Sequence, residues 1–182
     1  IQSWSWSLNP SNGSTSNDFT PVVSVTGAGS ENGSDIQLYD DPGCVGSIGT
    51  AQTIGAGAAT HNDLTYASNG TDDGLIAFYV IVTDSFAQAS LCTNISLAYT
   101  LDTVAPTVSI TSAPDIFASN ETSYVVSGNC SENGQNVSVT VGGVNDTPTC
   151  SGGSYTTAAM DISGVADGAI TVIANHTDVA GN

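Results

Sequence analysis

Ile95, Leu97, Tyr99 and Leu101 alternate with small or polar residues, and Val137, Val139 and Val141 repeat the arrangement later in the chain. A period of two puts one row of side chains on a core and the other in solvent, so both segments are read as half-buried β-strands. Pro21 to Thr26, Asp35 to Tyr39 and Leu75 to Val82 are further runs rich in β-branched and aromatic residues, as are Thr107 to Thr111, Tyr124 to Ser127 and Ile170 to Asn175. Gly, Asn, Asp and Ser bound these runs, and each has the composition and length of a strand. Leu75 to Val82 is apolar throughout and by periodicity alone could be a buried helix, but eight residues is strand length. The pattern predicts an all-β chain with almost no helix.

The chain also repeats itself. Glu31-Asn32-Gly33 followed by Asp35 to Tyr39 returns as Glu132-Asn133-Gly134 followed by Asn136 to Thr140, an offset of 101. Asp73-Gly74-Leu75-Ile76 and the later Thr83-Asp84 return as Asp167-Gly168-Ala169-Ile170 and Thr177-Asp178, an offset of 94. Two landmarks in one order indicate two copies of a unit of about 90 to 100 residues, the size of an immunoglobulin-like sandwich. Between the copies Pro106 stiffens a short hinge and holds Ala105 extended, which gives domains at 1–102 and 103–182. The first copy runs on through Ile95 to Leu101, whereas the second reaches Asn182 five residues after Thr177, so the second is expected to lack its last strand.

Charge narrows the partners. The 182 residues include 17 Asp plus Glu and no Lys or Arg, a net charge of -17 near neutral pH. Nucleic acids and anionic lipids are held by cations that displace counterions, so neither is an expected partner. P-loop chemistry, Schiff-base catalysis and arginine fingers are excluded on the same ground. At 40% hydrophobic the chain has the composition of a folding protein, and its longest apolar run is far short of the roughly 18 residues of a membrane helix. It begins with Ile1 and carries no basic segment followed by an apolar stretch, which reads as a chain from which any secretion signal has been removed.

Leu38-Tyr39-Asp40-Asp41-Pro42-Gly43-Cys44, Ser90-Leu91-Cys92, Tyr99-Thr100-Leu101-Asp102-Thr103-Val104-Ala105-Pro106 and Thr177-Asp178-Val179-Ala180-Gly181-Asn182 follow one another in the chain. Together they resemble the recurring phrases of bacterial immunoglobulin-like (Big-type) repeats in large secreted surface adhesins, over nearly the whole length. The resemblance implies two tandem immunoglobulin-like Greek-key β-sandwiches arrayed as a stalk, with calcium near the linkers. It makes Asp102 a candidate calcium ligand with Asp84 and Asp73 as neighbours, since calcium takes six to eight oxygens. The residues alone give no EF-hand spacing, and Asp is common in turns because its side chain caps its own backbone. Calcium is therefore the one candidate cofactor, and none is required. Ala87-Gln88 stands where the repeat pattern has Gly-Asn.

Four cysteines allow three pairings, and Cys44 with Cys92 and Cys130 with Cys150 each fall inside one copy. Closing loops of roughly 50 and 20 residues would contribute on the order of 4 and 3 kcal/mol. No CxxC or cationic neighbour marks a reactive thiol, His61 and His176 lack zinc spacing, and no Gly-x-Ser-x-Gly elbow occurs, so no catalytic residue is expected. Acceptor triplets for N-glycosylation begin at Asn12, Asn32, Asn69, Asn94, Asn120, Asn129, Asn136, Asn145 and Asn175. Chance would give about 3 or 4, and these sites would carry sugars in an organism with a secretory glycosylation pathway.

The sequence therefore reads as a non-enzymatic part of an extracellular, cell-surface adhesin or fibre, with neighbouring repeats or copies of itself as partners and a host or matrix ligand further out. A second reading makes it a filament subunit whose Trp4, Trp6 and Leu8 segment completes the open sandwich of the next copy by strand addition. Against it stands the plainer placement of that segment as the first strand of its own sandwich. A third is a carbohydrate-binding module with Trp4, Trp6 or Tyr155 as stacking platforms.

Overall fold

The computed structural model describes residues 4–27 and 32–182, and among these the backbone forms fourteen strands and no helix. Glu31, which opens the first repeat landmark, lies outside the described residues. The chain divides into two compact units, Ile1–Val104 and Ala105–Asn182.

In the first unit β1 (Ser5–Asn9), β3 (Val22–Thr26) and β6 (Ala58–His61) form an antiparallel sheet in the order β1-β3-β6. The second sheet has the order β2-β8-β7-β4-β5, from β2 (Thr15–Ser16), β4 (Asp35–Tyr39), β5 (Ser47–Thr53), β7 (Gly74–Thr83) and β8 (Thr93–Leu101), with β2 parallel to β8. The chain changes sheet from β3 to β4, from β5 to β6 and from β6 to β7, which is the Greek-key connectivity of an immunoglobulin-type β-sandwich. Val23 and Val25 meet Ile36, Leu38, Phe78, Val80, Leu97, Tyr99 and Leu101 in the core between the sheets. The row Leu97, Tyr99, Leu101 is the alternation legible in the sequence, and the Tyr99 ring stacks on Phe78 with centroids 6.3 Å apart.

The second unit repeats the plan. β9 (Val108–Ser112), β10 (Ser127–Cys130) and β13 (Ser154–Thr156) form a sheet in the order β13-β10-β9. β11 (Val137–Val141), β12 (Val144–Asp146) and β14 (Val172–His176) form a sheet in the order β12-β11-β14. The two offsets read from the sequence reappear in the strand register. Ile36 opposite Val82 and Leu38 opposite Val80 become Val137 opposite His176 and Val139 opposite Ala174, each position moved by 101 on one strand and 94 on the other. Turn geometry follows suit: Gly33 and Gly134 share φ +89°, and Gly74 and Gly168 have φ +138° and +139°, values that a side chain would oppose.

One expected strand is displaced. The regular ladder lies at Ser127–Cys130 rather than Tyr124 to Ser127, and Tyr124 makes an isolated bridge to Met160. Val126 donates its N–H to the Thr157 hydroxyl at 3.0 Å, so a side chain takes the place of the ladder there. Gly128 reads in sequence as a strand end, yet it sits inside β10, where a Cβ would collide with the Ser109 carbonyl oxygen of β9 and stand 2.6 Å from the Tyr155 ring.

Candidate functional site

The turns at the ends of each sandwich hold most of the residues singled out by sequence. Cys44, in the β4–β5 connection, is joined to Cys92 just before β8, and both are half-buried. Cys130 ends β10 and is joined to Cys150 ahead of β13, with both sulfurs inside the core of the second unit. The Asp41 carboxylate caps the β4–β5 turn, accepting from the N–H groups of Gly43 at 2.8 Å and Val45 at 3.0 Å.

Asp73, Asp84 and Asp102 are not brought to one place. Asp73 precedes β7 and Asp84 follows it, so the ten-residue strand holds them about 30 Å apart. The expectation that Asp84 neighbours Asp102 and Asp73 in one calcium site is therefore corrected. Asp84 closes the β7–β8 turn, accepting from the N–H groups of Phe86 and Gln88 at 2.9 Å. In that turn Ala87 takes φ +63°, and its counterpart in the second unit is Gly181 at φ +93°. Among the described residues no group of three or more His, Cys, Asp or Glu is arranged to hold a metal ion.

Asp73 has a different task that sequence reading missed. Its carboxylate accepts from the Thr103 N–H at 3.0 Å and the Thr103 hydroxyl at 2.8 Å, while the Gly70 N–H donates to that hydroxyl oxygen at 2.9 Å. The three bonds clamp the end of the first unit, immediately after β8, onto the turn that opens β7. Asp102 accepts from the Val104 N–H at 3.3 Å beside this clamp.

Trp4, Trp6 and Leu8 pack, half-buried, against the core of the first unit. Trp6 and Leu8 lie on β1, with Trp6 opposite Val25 and Leu8 opposite Val23 of β3. The segment is thus the first strand of its own sandwich, and donation to another copy would require it to leave β3. The Trp4 and Trp6 rings lie 6.4 Å apart at 36° and line a groove of about 480 Å³ with Val80, Val82 and Ile95. Tyr155 is corrected as a stacking platform: it is 2% exposed, its ring held over Gly128 in the core.

The histidines serve the fold. His61 on β6 is fully buried, and among the described residues neither ring nitrogen has a hydrogen-bond partner. Burial holds its pKa below the ordinary value, with the charge of nearby Asp63 pulling the other way. His176 Nε2 accepts from the Glu132 N–H at 3.1 Å, which leaves Nδ1–H to donate to the Asn136 carbonyl at 3.2 Å.

Of the glycosylation triplets, Asn12 and Asn120 have the acceptor nitrogen engaged by described residues. Asn12 donates from Nδ2 to the Ser96 carbonyl at 3.2 Å and accepts from the Ala98 N–H at 2.9 Å, fastening the loop before β2 to β8. Asn120 donates from Nδ2 to the Asp115 carbonyl at 2.9 Å. A sugar on either nitrogen would displace these bonds. Asn32, Asn69, Asn94, Asn129, Asn136, Asn145 and Asn175 are exposed.

One edge differs between the units. β7 lies between β4 and β8, whereas β14 pairs with β11 on one side and, among the described residues, with nothing on the other. Residues 74–77 belong to β7 and pair only with β8, opposite Leu101, Thr100, Tyr99 and Ala98. Their counterparts 168–171 form no strand, and β14 begins only at Val172. Along this edge Ile116, Tyr124, Ile170 and Val172 line a groove of about 470 Å³.

No protein-family model matches the chain, and no curated protein does. Among solved structures it is similar to a tetra-tandem repeat in the extending region of a large adhesion protein, at 23% identity and a TM-score of 0.37, over 100% of this chain and 47% of that one. The chain thus spans about half the length of that structure. It is similar also to a chimeric titin Z1Z2-Z1Z2 tandem functionalised with a GRGDS peptide from fibronectin, at 12% identity and a TM-score of 0.33, over 100% of this chain and 94% of that one.

Proposed function

We propose that the chain is a structural pair of repeats in an extracellular surface adhesin or fibre, its work being to extend and hold rather than to catalyse. The observation that carries this reading is the duplication itself: one sandwich plan used twice, with the same strand register and turn geometry and one disulfide in each copy. Disulfides persist in oxidising surroundings outside the cytosol, which supports the extracellular placement. The Asp73–Thr103 clamp supports a role in which the exit of the chain from a unit is fixed. The absence of Lys and Arg leaves no trypsin site, in keeping with a long life outside the cell.

The test is to label intact and permeabilised cells of the producing organism with antibodies against the recombinant chain. The reading predicts label on intact cells and recovery of the surface protein with all four cysteines oxidised. Label confined to permeabilised cells, or free thiols in the recovered protein, would overturn it.

A further inference from the structure

We propose that the outer edge of β14, the segment 168–171 and the groove beside them form a docking site for an extended strand of β8 chemistry: alternating apolar residues followed by Asp-Thr. This rests on the tandem-repeat reading above and names the partner of the second unit. The first unit supplies the template. There β8 places Leu97, Tyr99 and Leu101 in the core at 7%, 0% and 1% exposure, and Tyr99 covers Phe78. By the offset of 94, Ile76, Phe78 and Val80 correspond to Ile170, Val172 and Ala174, which are only partly buried.

The same offset sets the register. Tyr99 pairs with Ile76 and Asn94 with Tyr79, so the docked strand would put its Tyr99 position opposite Ile170 and its Asn94 position opposite Ile173, which is 46% exposed. The clamp is duplicated as well. Asp73 corresponds to Asp167, which stands just before Gly168, is exposed, and has no hydrogen-bond partner among the described residues. It is placed to accept from the N–H and hydroxyl of a threonine at the end of the incoming strand, as Asp73 does from Thr103. Segment 168–171 would then gain the ladder partner that its counterpart 74–77 has, and become strand.

The chain's own β1 segment does not fit this chemistry. The β1 segment offers Trp4, Trp6 and Leu8, but Pro10 stands where β8 continues into Thr103 and brings neither N–H nor hydroxyl to Asp167. Donating β1 would also break its pairing with β3. Edge strand β5 offers no rival surface, since most of its residues, Gly49 to Ala51 among them, are exposed and small or polar.

The experiment adds a synthetic peptide with the sequence of residues 93–104 to the full chain and follows amide hydrogen exchange. The expected result is at least tenfold slower exchange across 168–176, with β1 and β3 unchanged. Asp167→Ala should weaken peptide binding several-fold, and a peptide carrying Tyr99→Asp or one with the sequence of residues 3–10 should give little protection. No protection at 168–176 at millimolar peptide, equal protection by the Tyr99→Asp peptide, or protection appearing at another edge would overturn the proposal. The two readings fail separately: label confined to the cell interior with docking intact removes the fibre reading and leaves the site, and surface label without docking does the reverse.

Discussion

Removing the Cys130–Cys150 disulfide is expected to cost the second unit more than removing Cys44–Cys92 costs the first, against the order that loop length gives. The bridged residues are 20 apart in one case and 48 in the other. Loop entropy alone assigns about 3 kcal/mol to the shorter loop and about 4 kcal/mol to the longer. Burial reverses this. Cys130 and Cys150 are 5% and 1% exposed within the core of the second unit, so replacing both by Ala also empties two packed positions, at about 1 kcal/mol or more each. Cys44 and Cys92 are half-exposed in turns, where truncation leaves little unfilled space. The expected losses are thus about 5 kcal/mol for the second unit and about 4 kcal/mol for the first. Urea titration of the two double-Ala variants measures them. Trp4 and Trp6 are the only tryptophans and report the first unit by fluorescence, while hydrogen exchange across β11 and β14 reports the second. A second-unit loss of 3 kcal/mol or less, smaller than the first-unit loss, would refute the burial argument.

Three further outcomes can be checked with the same readouts. Ala87→Gly should stabilise the first unit by about 0.5–1 kcal/mol, because Ala pays for φ +63° and Gly gives back only part of the gain in chain entropy; a lower urea midpoint would contradict this. His61 is held neutral by burial, so the unfolded chain takes up a proton near pH 6.5 that the folded chain resists. The part of first-unit stability that depends on this group is therefore full well above pH 6.5 and falls by up to about 1.4 kcal/mol per pH unit below it, until the depressed folded-state pKa is reached; His61→Leu should flatten the slope just below pH 6.5. Thr103→Val should remove the hydroxyl's bonds to Asp73 and Gly70 and cost the first unit about 1–2 kcal/mol, with faster exchange at the Gly70 amide; an unchanged amide would show that the clamp carries nothing.

Much of the fold was legible because its signals are local. Leu97, Tyr99 and Leu101 alternate, and the strand they predict is β8; the two offsets of the repeat reappear as matched pairs across β4–β7 and β11–β14. β2, β5, β6, β12 and β13 were not read because edge strands of small and polar residues carry little apolar alternation, and their pairing is imposed by neighbours. β10 was placed too early because Gly128 suggests a turn until the Tyr155 ring is seen over it. Sites were harder to read than strands. Asp73, Asp84 and Asp102 look alike in sequence, but a ten-residue strand separates Asp73 from Asp84, and the partner that gives Asp73 its task lies 30 positions away at Thr103. Long-range partners of this kind leave no periodic trace.

The central claim is that the chain folds as two sandwiches of one plan, each stapled by its own disulfide, with the proposed task of holding against extension. Pulling the single molecule by its two ends tests it most directly. The account predicts two separate unfolding events in oxidising buffer. Reduction should lengthen one by about 170 Å and the other by about 70 Å, at roughly 3.5 Å for each of the 48 and 20 residues that the disulfides withhold. A single event, or two whose lengths do not change on reduction, would contradict it.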